Sequence, residues 1–333
     1  MKQDDVPKLL DVEAAAQLIG EKIVRTPLLT SVALDALCQG QVLIKAETLQ
    51  RTGSFKIRGA LNRIMQMSPT EKQNGVVAWS SGNHAQGVAA AAAMYGVSAT
   101  IVMPSDAPSL KIENTRALGA EVVLYDRATQ DREVIAGDIA RQRHLVVIPS
   151  YDDPQVIAGQ GTIGLEIVAQ ANEMGLTVDD VVVPTSGGGM IAGIALAMHG
   201  AFPQARIYAA EPEGYDDHGR SLAQQRRVKN ASKANALCDA LLAPMPGELT
   251  WQINKSHLSG GYALSDEDVC RAMAFAFRHL KLVVEPGGAV ALAAILNGRH
   301  MTKNRTTVVV LSGGNVDAHT FQQCLGKAAS AAV

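Results

Sequence analysis

Paired cysteines, surplus charge and long apolar runs are all missing from this sequence, and each absence removes a class of protein. The four cysteines, Cys38, Cys238, Cys270 and Cys324, are widely scattered with no CxxC pair, so neither a disulfide framework nor a zinc site is indicated. Lys and Arg number 30 against 32 Asp and Glu, a formal net charge of −2, which gives no affinity for nucleic acid. The one basic cluster, Arg220, Arg226, Arg227, Lys229 and Lys233, reads as a solvated helix face or loop. The most apolar stretches, Val88–Met94 and Ala289–Leu296, fall far short of the roughly 20 residues a membrane span needs. The N-terminus carries acids where a signal peptide needs a basic and then an apolar run. Without such a signal the sequons at Asn230, Asn254 and Asn304 carry no meaning. A soluble, cytoplasmic protein with no membrane or nucleic-acid partner is expected.

What is present is core material and alternation. The 333 residues are 47% hydrophobic and 19% charged, an ordinary globular balance for one large domain or two joined lobes. Apolar, strand-like runs occur at Val42–Ala46, Val76–Trp79, Thr100–Met103, Glu121–Tyr125, Leu145–Ile148, Val181–Pro184, Ile207–Ala210 and Thr307–Leu311. Helical runs lie between them: Ser54–Met67, Ala85–Tyr95, Leu110–Leu118, Gln155–Ala169, Ala192–His199, Asp266–Leu280 and Gly288–Leu296. Such alternation predicts βαβ units and a doubly wound, mostly parallel α/β fold. Near-continuous apolar strands agree, because helices then cover both faces. Ligands in such folds sit beyond the carboxyl ends of strands, so the loops that follow strands are the ones to read.

Three Gly/Ser loops follow strands directly: Ser80-Ser81-Gly82-Asn83-His84, Ser186-Gly187-Gly188-Gly189-Met190 and Ser312-Gly313-Gly314-Asn315. A glycine loop at a helix N-terminus offers backbone N–H groups and the positive helix pole to an anion, which makes Ser186–Met190 a natural phosphate cradle. In Thr52-Gly53-Ser54-Phe55-Lys56-Ile57-Arg58, Ser54 reads as an N-cap, placing Lys56 in a first helical turn. Desolvation and the helix pole would both lower its pKa, as a Schiff-base amine requires. Position alone favours a surface lysine beside a solvated arginine. Gly159-Gln160-Gly161-Thr162-Ile163-Gly164 matches the dinucleotide pattern GxGxxG, but no strand precedes it, so the match lacks its context. These glycines read as close-packing positions in a helix.

The segments SFKIRGA, SSGNHAQG, VIAGQGT, SGGGMIAG, AAEP and LSGGNVD, in this order, resemble the fold-type II (tryptophan-synthase β-like) pyridoxal-phosphate (PLP) enzymes, above all the serine/threonine dehydratases and serine racemase. The resemblance runs from about Lys8 to Asp317. It implies two lobes, a large PLP-binding domain of residues 1–74 and 154–333 and a small domain of 75–153 closing over substrate, assembled as a homodimer. It implies that Lys56 carries PLP and acts as the base. Ser186, Gly187, Gly188, Gly189 and Met190 would hold the phosphate, Asn83 the 3′-oxygen, and Phe55 would lie near the ring. Ser80, Ser81, Asn83 and His84 would grip the substrate carboxylate. Ser312 would face the pyridine nitrogen; a hydroxyl cannot keep that nitrogen protonated, so the cofactor is a weaker electron sink and prompt expulsion of a β-leaving group is favoured.

The reaction so implied removes water from a 3-hydroxy amino acid, the cofactor phosphate protonating the leaving hydroxyl, to give a 2-oxo acid and ammonia. L-serine and L-threonine are the expected substrates, with 3-hydroxyaspartate and phenylserine as further candidates. Ser81 matches the opposite-face acid/base of serine racemase, so racemisation is the alternative. The resemblance also implies Mg²⁺, Mn²⁺ or Ca²⁺ bound by Glu211, the Tyr215 carbonyl and Asp217, hard oxygen donors that suit such ions. Arg132 matches an arginine that contacts the distal carboxylate of dicarboxylic ligands. Three departures fall near the expected substrate: Cys238–Gly247, Glu285-Pro286-Gly287-Gly288-Ala289 and Trp79. The chain ends soon after Asp317, so no regulatory domain is expected. A nicotinamide enzyme rests only on Gly159–Gly164, and a non-catalytic PLP-fold binder is disfavoured by Lys56, Ser81 and Ser312 together.

Overall fold

A computed structural model describes residues 6–107, 109–231 and 237–330; Lys233 of the basic cluster lies outside them. Its ten strands are β1 (Leu28–Leu29), β2 (Gln41–Ala46), β3 (Val76–Trp79), β4 (Ala99–Pro104), β5 (Glu121–Tyr125), β6 (Val146–Val147), β7 (Asp180–Pro184), β8 (Arg206–Pro212), β9 (Gly260–Leu264) and β10 (Thr306–Leu311). They form two sheets, one ordered β1-β2-β10-β7-β8-β9 and one ordered β5-β4-β3-β6. Only β1 runs antiparallel to its neighbour; the other pairings are parallel. Every residue of β4 and β7 is buried, as expected for strands covered on both faces. The doubly wound α/β architecture is therefore what the alternation predicted.

The topology gathers the glycine loops. β7 and β10 are neighbours in the larger sheet, and β3 is internal to the smaller one. The chain leaves their carboxyl ends at Thr185, Ser312 and Ser80, and all three line one cavity. The helix Lys56–Met65 packs against both Asn83–Met94 and Pro154–Glu173, and so lies where the two sheets' helices meet. Gly159, Gly161 and Gly164 fall inside Pro154–Glu173. A Cβ there would strike the Arg58 carbonyl, the Gly193 carbonyl and the Ala197 side chain respectively, so these glycines let helices cross closely.

One local expectation fails. Phe55, not Ser54, is the N-cap of the lysine helix, and it makes no side-chain cap. Ser54 is extended, held in a bridge to Gly313, and its Oγ has no hydrogen-bond partner. Sheet pairing has displaced the hydroxyl from capping geometry. Lys56 nevertheless becomes the first residue of the helix, at its positive pole.

Candidate active site

The cavity between the sheets has a volume of about 400 Å³, and Lys56 opens into it. Its ammonium donates to the Ser150 carbonyl at 2.9 Å and stands 5.1 Å from the centroid of the Phe55 ring. Burial pushes the lysine down to about 8, with the more distant Glu285 opposing the shift. No carboxylate forms an ion pair with it among the described residues. Arg58, two residues on, is not solvated at all: it is fully buried.

The second wall is Ser186–Met190, at the N-terminus of the helix Gly189–Ala201. Gly188 takes φ +94°, a left-handed backbone that favours glycine. A Cβ on Gly187 would enter the Tyr151 ring, and one on Gly188 would meet His218 and Asn254. Behind the loop, Thr250 donates to the Gly187 carbonyl at 2.6 Å and Asn254 to that of Gly188 at 3.3 Å. With its carbonyls held from behind, the loop keeps N–H groups for an anion. This pattern fits a phosphate. Ser186 Oγ instead accepts from Ala243 N at 3.1 Å, fastening the 238–247 segment along the cavity.

The third wall is Ser80–His84. Asn83 begins the helix Asn83–Met94. Its amide nitrogen donates to Glu285 Oε1 at 2.5 Å, and its oxygen accepts from Asn315 at 2.7 Å. One amide N–H therefore remains for the cavity. Glu285 is buried and pushed up to about 7 by that burial, which outweighs the Asn83 bond. His84 Nε2 contacts the Ile148 carbonyl at 2.8 Å, and burial lowers the imidazole to about 3, assisted by Lys56. A neutral ring tied to Ile148 brings no charge to a substrate; what His84 offers an anion is backbone.

Phe55, Ser81, Ser312 and Arg132 line the same cavity. Ser312 is buried, and its carbonyl accepts from Phe55 N at 3.1 Å. Arg132 is exposed, the first residue of the helix Arg132–Arg143. Across the mouth, Lys111 pairs with Asp239 at 2.9 Å. Trp79 and the 239–247 segment also line the cavity. The glycine departure does not enlarge it: a Cβ on Gly287 would meet Ala240 and Leu241, and one on Gly288 the Gly313 backbone.

Glu211, Tyr215 and Asp217 are buried away from this cavity, at and beyond the end of β8. Glu211 accepts from the backbone N–H of His218 and of Gly219, each at 2.9 Å. Asp217 Oδ1 accepts from Asn230 at 2.7 Å, while its Oδ2 has no hydrogen-bond partner. The sequence reading missed His218, whose Nδ1 lies 3.6 Å from both Glu211 and Asp217. Burial pushes this imidazole down, but the Asp217 and Glu211 carboxylates outweigh it and hold it at about 9. Glu285, Lys111 and Asp239 were also missed as site residues.

A lysine at a helix start, a glycine cradle for phosphate and an anchored amide between them define an enzyme that works through a phosphorylated carbonyl cofactor held on lysine. Comparison with known proteins makes that specific. Residues 19–313 match the family model described as pyridoxal-phosphate dependent enzyme, and the chain belongs to that family. It is 40% identical to L-threo-3-hydroxyaspartate ammonia-lyase of Pseudomonas sp, over 95% of this chain and 97% of the relative. The crystal structure of the T.th. threonine deaminase superposes with a TM-score of 0.88 at 42% identity, covering 93% of this chain and 99% of that one. The structure of maize serine racemase gives 0.90 at 34% identity, covering 98% and 99%.

Proposed function

We propose that this protein is a PLP-dependent dehydratase of 3-hydroxy amino acids, with L-serine and L-threonine as substrates. The observation that carries the reading is the single cavity shared by Lys56, the Ser186–Met190 cradle and the anchored Asn83. The loop N–H groups and the helix pole behind them would hold the cofactor phosphate. Asn83, fixed by Glu285 and Asn315, would present its remaining N–H to the 3′-oxygen, with Phe55 and Ser312 bordering the ring. When bound, PLP supplies the electron sink that makes the substrate Cα proton removable.

The protein's own groups do the rest. Lys56, held near 8 by burial, takes the Cα proton as a base of suitable strength. Ser80 and Ser81, before the helix Asn83–Met94, would border the substrate carboxylate, Ser81 offering its N–H while that of Ser80 is donated to the Val102 carbonyl at 3.1 Å. Loss of the β-hydroxyl as water, and later hydrolysis of the released enamine, yields a 2-oxo acid and ammonia. Residues 75–153 would form the small lobe that closes over substrate; the Lys111–Asp239 pair across the mouth supports that closure. The same family reading implies a cytoplasmic homodimer. No helix among the described residues is long and apolar enough to cross a membrane.

A divalent cation belongs to the same reading: away from the cavity, Glu211, the Tyr215 carbonyl and Asp217 would hold it, the orphaned Asp217 Oδ2 being the observation in favour. His218 stands within reach of both carboxylates, and its proton would have to leave before a cation bound there. A second substrate reading has a specific support. Arg132 lines the cavity with no ion-pair partner among the described residues, and a distal carboxylate would find it, making 3-hydroxyaspartate a substrate. Ser81, in the same cavity as Lys56, likewise supports racemisation as a side reaction.

The test is a panel of L-serine, L-threonine, both 3-hydroxyaspartate diastereomers and phenylserine, assayed for 2-oxo acid. Release from serine or threonine is the expected result. Turnover of 3-hydroxyaspartate alone, abolished in Arg132→Ala, would move the substrate to the dicarboxylic class. D-serine accumulating without ammonia would replace the dehydratase by a racemase.

A further inference from the structure

We propose that Cys270 and Cys324 form a reversible disulfide that fastens the helix Ala318–Ser330 to the helix Asp266–Phe275, a modification site apart from the catalytic cavity. The two helices pack along each other. Their sulfurs lie 2.7 Å apart, although the residues are 54 positions apart in sequence. Non-bonded heavy atoms rest roughly 3.5–4.0 Å apart, and a disulfide bond is about 2.05 Å. The fold therefore holds the thiols much of the way to bonding distance. Neither sulfur lines the cavity, and no step of the dehydratase uses them.

The pair is chemically asymmetric. The Cys270 thiol donates to Cys324 Sγ. That bond lowers the Cys324 thiol against the opposing effect of burial, with Lys327 helping. It raises Cys270, whose burial acts in the same direction. Lys327, three positions further along the helix that carries Cys324, favours its thiolate, so Cys324 is taken as the attacking sulfur and Cys270 as the resolving one. With hydrogen peroxide as oxidant, the Cys324 thiolate takes one peroxide oxygen, giving a sulfenic acid and, with a proton, one water. Cys270 then attacks the Cys324 sulfur, the S–S bond forms, and the hydroxyl leaves with the Cys270 proton as a second water. Each sulfur loses one electron and the peroxide gains two.

Access comes through the terminal helix. Both sulfurs are buried, so the oxidant arrives when Ala318–Ser330 opens. Gly326 inside that helix weakens its propensity, and its outward face is exposed at Gln322, Gln323, Gly326 and Lys327. Cys238 belongs to the same apolar cluster and is the competing thiol.

The test uses the PLP-loaded enzyme treated with a modest excess of hydrogen peroxide, then denatured and alkylated. Free thiols should fall from the four in the sequence to two, the intact mass should drop by two hydrogens, and dithiothreitol should reverse both. Peptide mapping should join Cys270 to Cys324. The oxidised protein should melt several degrees higher, on the order of 5 °C, because the link constrains the unfolded chain. Cys238→Ala should preserve the response and Cys324→Ser should abolish it. Four free thiols after peroxide, a link to Cys238, or sulfinic acid without a cross-link would each overturn the proposal. Because the mapping is done on the unaltered sequence, misfolding of a variant cannot mask the answer.

Discussion

Two buried lysines, eleven positions apart, have opposite fates. Lys45 on β2 is fully buried and donates to the Thr26 carbonyl, Glu166 and Gln170 at 2.6, 2.6 and 2.9 Å. Arg58 joins the same network, forked onto Glu47 with two bonds of 2.8 Å and bonded to Glu166 at 2.6 Å. Two cations face two carboxylates, and every charge has a partner. Burial lowers Lys45, but Glu166 and Glu47 work against the shift. Lys56 has one carbonyl and the face of the Phe55 ring beside it, and its opposing carboxylate, Glu285, bonds to Asn83 instead. Burial alone does not make a reactive amine. Burial without a paired carboxylate does, and the saturated network next door holds the helix that carries it.

The largest expected effect separates the two lysines. Lys56→Ala should abolish the absorbance band near roughly 410–420 nm that PLP gives on an amine, and lower ammonia release by about 10³-fold or more. Lys45→Met should retain the band in whatever fraction folds, while losing stability on the order of 3–5 kcal/mol because Glu166 is left short of a partner. Absorbance spectra and denaturant melts of both proteins check this. A folded Lys45→Met without the band would erase the distinction.

The next effect lies inside the network. Arg58→Met strands the fully buried Glu47, which Arg58 and Lys45 hold below the usual carboxylate range despite its burial. The expected loss is about 3–5 kcal/mol, and a double variant Arg58→Met/Glu47→Met should recover part of it. Urea melts of the two singles and the double measure the coupling. Strict additivity would mean that the network is not a unit.

Much of this was legible in sequence, for physical reasons that differ by residue. The glycine loops could be read because apolar runs mark strand ends and glycine marks close backbone approach. Lys56 could be read only through its motif, since a lysine at a helix start looks the same whether solvated or buried. β1 and β9 escaped notice because two residues carry no period, and Gly260-Gly261 opens the other with glycine. The helix that Arg132 begins also escaped notice, although Asp131 caps it by accepting from Glu133 N and Val134 N. Ser54 misled because its competing sheet bridge comes from Gly313. Glu285 was invisible as a site residue because its role depends on Asn83, 202 positions away. Contacts of that span leave no local pattern.

The smallest effect probes the carboxyl that leaves Lys56 unpaired. Glu285 is raised from 4.5 to about 7, by burial first and by Asp239 next. A group raised in the folded state holds its proton more tightly there than in the unfolded chain. Its contribution is fully present below about 4.5 and is lost as pH rises through about 7. Glu285→Gln removes that titration, so the stability of the natural protein relative to the variant should fall between those two pH values and stay flat above. The change should be on the order of 3 kcal/mol. Any constant offset from repacking against Asn83 is the same at every pH, which leaves the slope as the readout. Urea melts of the cofactor-free proteins from pH 4.5 to 8 would show it. Parallel curves would mean that Glu285 is ionised throughout, and Lys56 would then face a full negative charge across the cavity rather than a carboxyl that shares its proton.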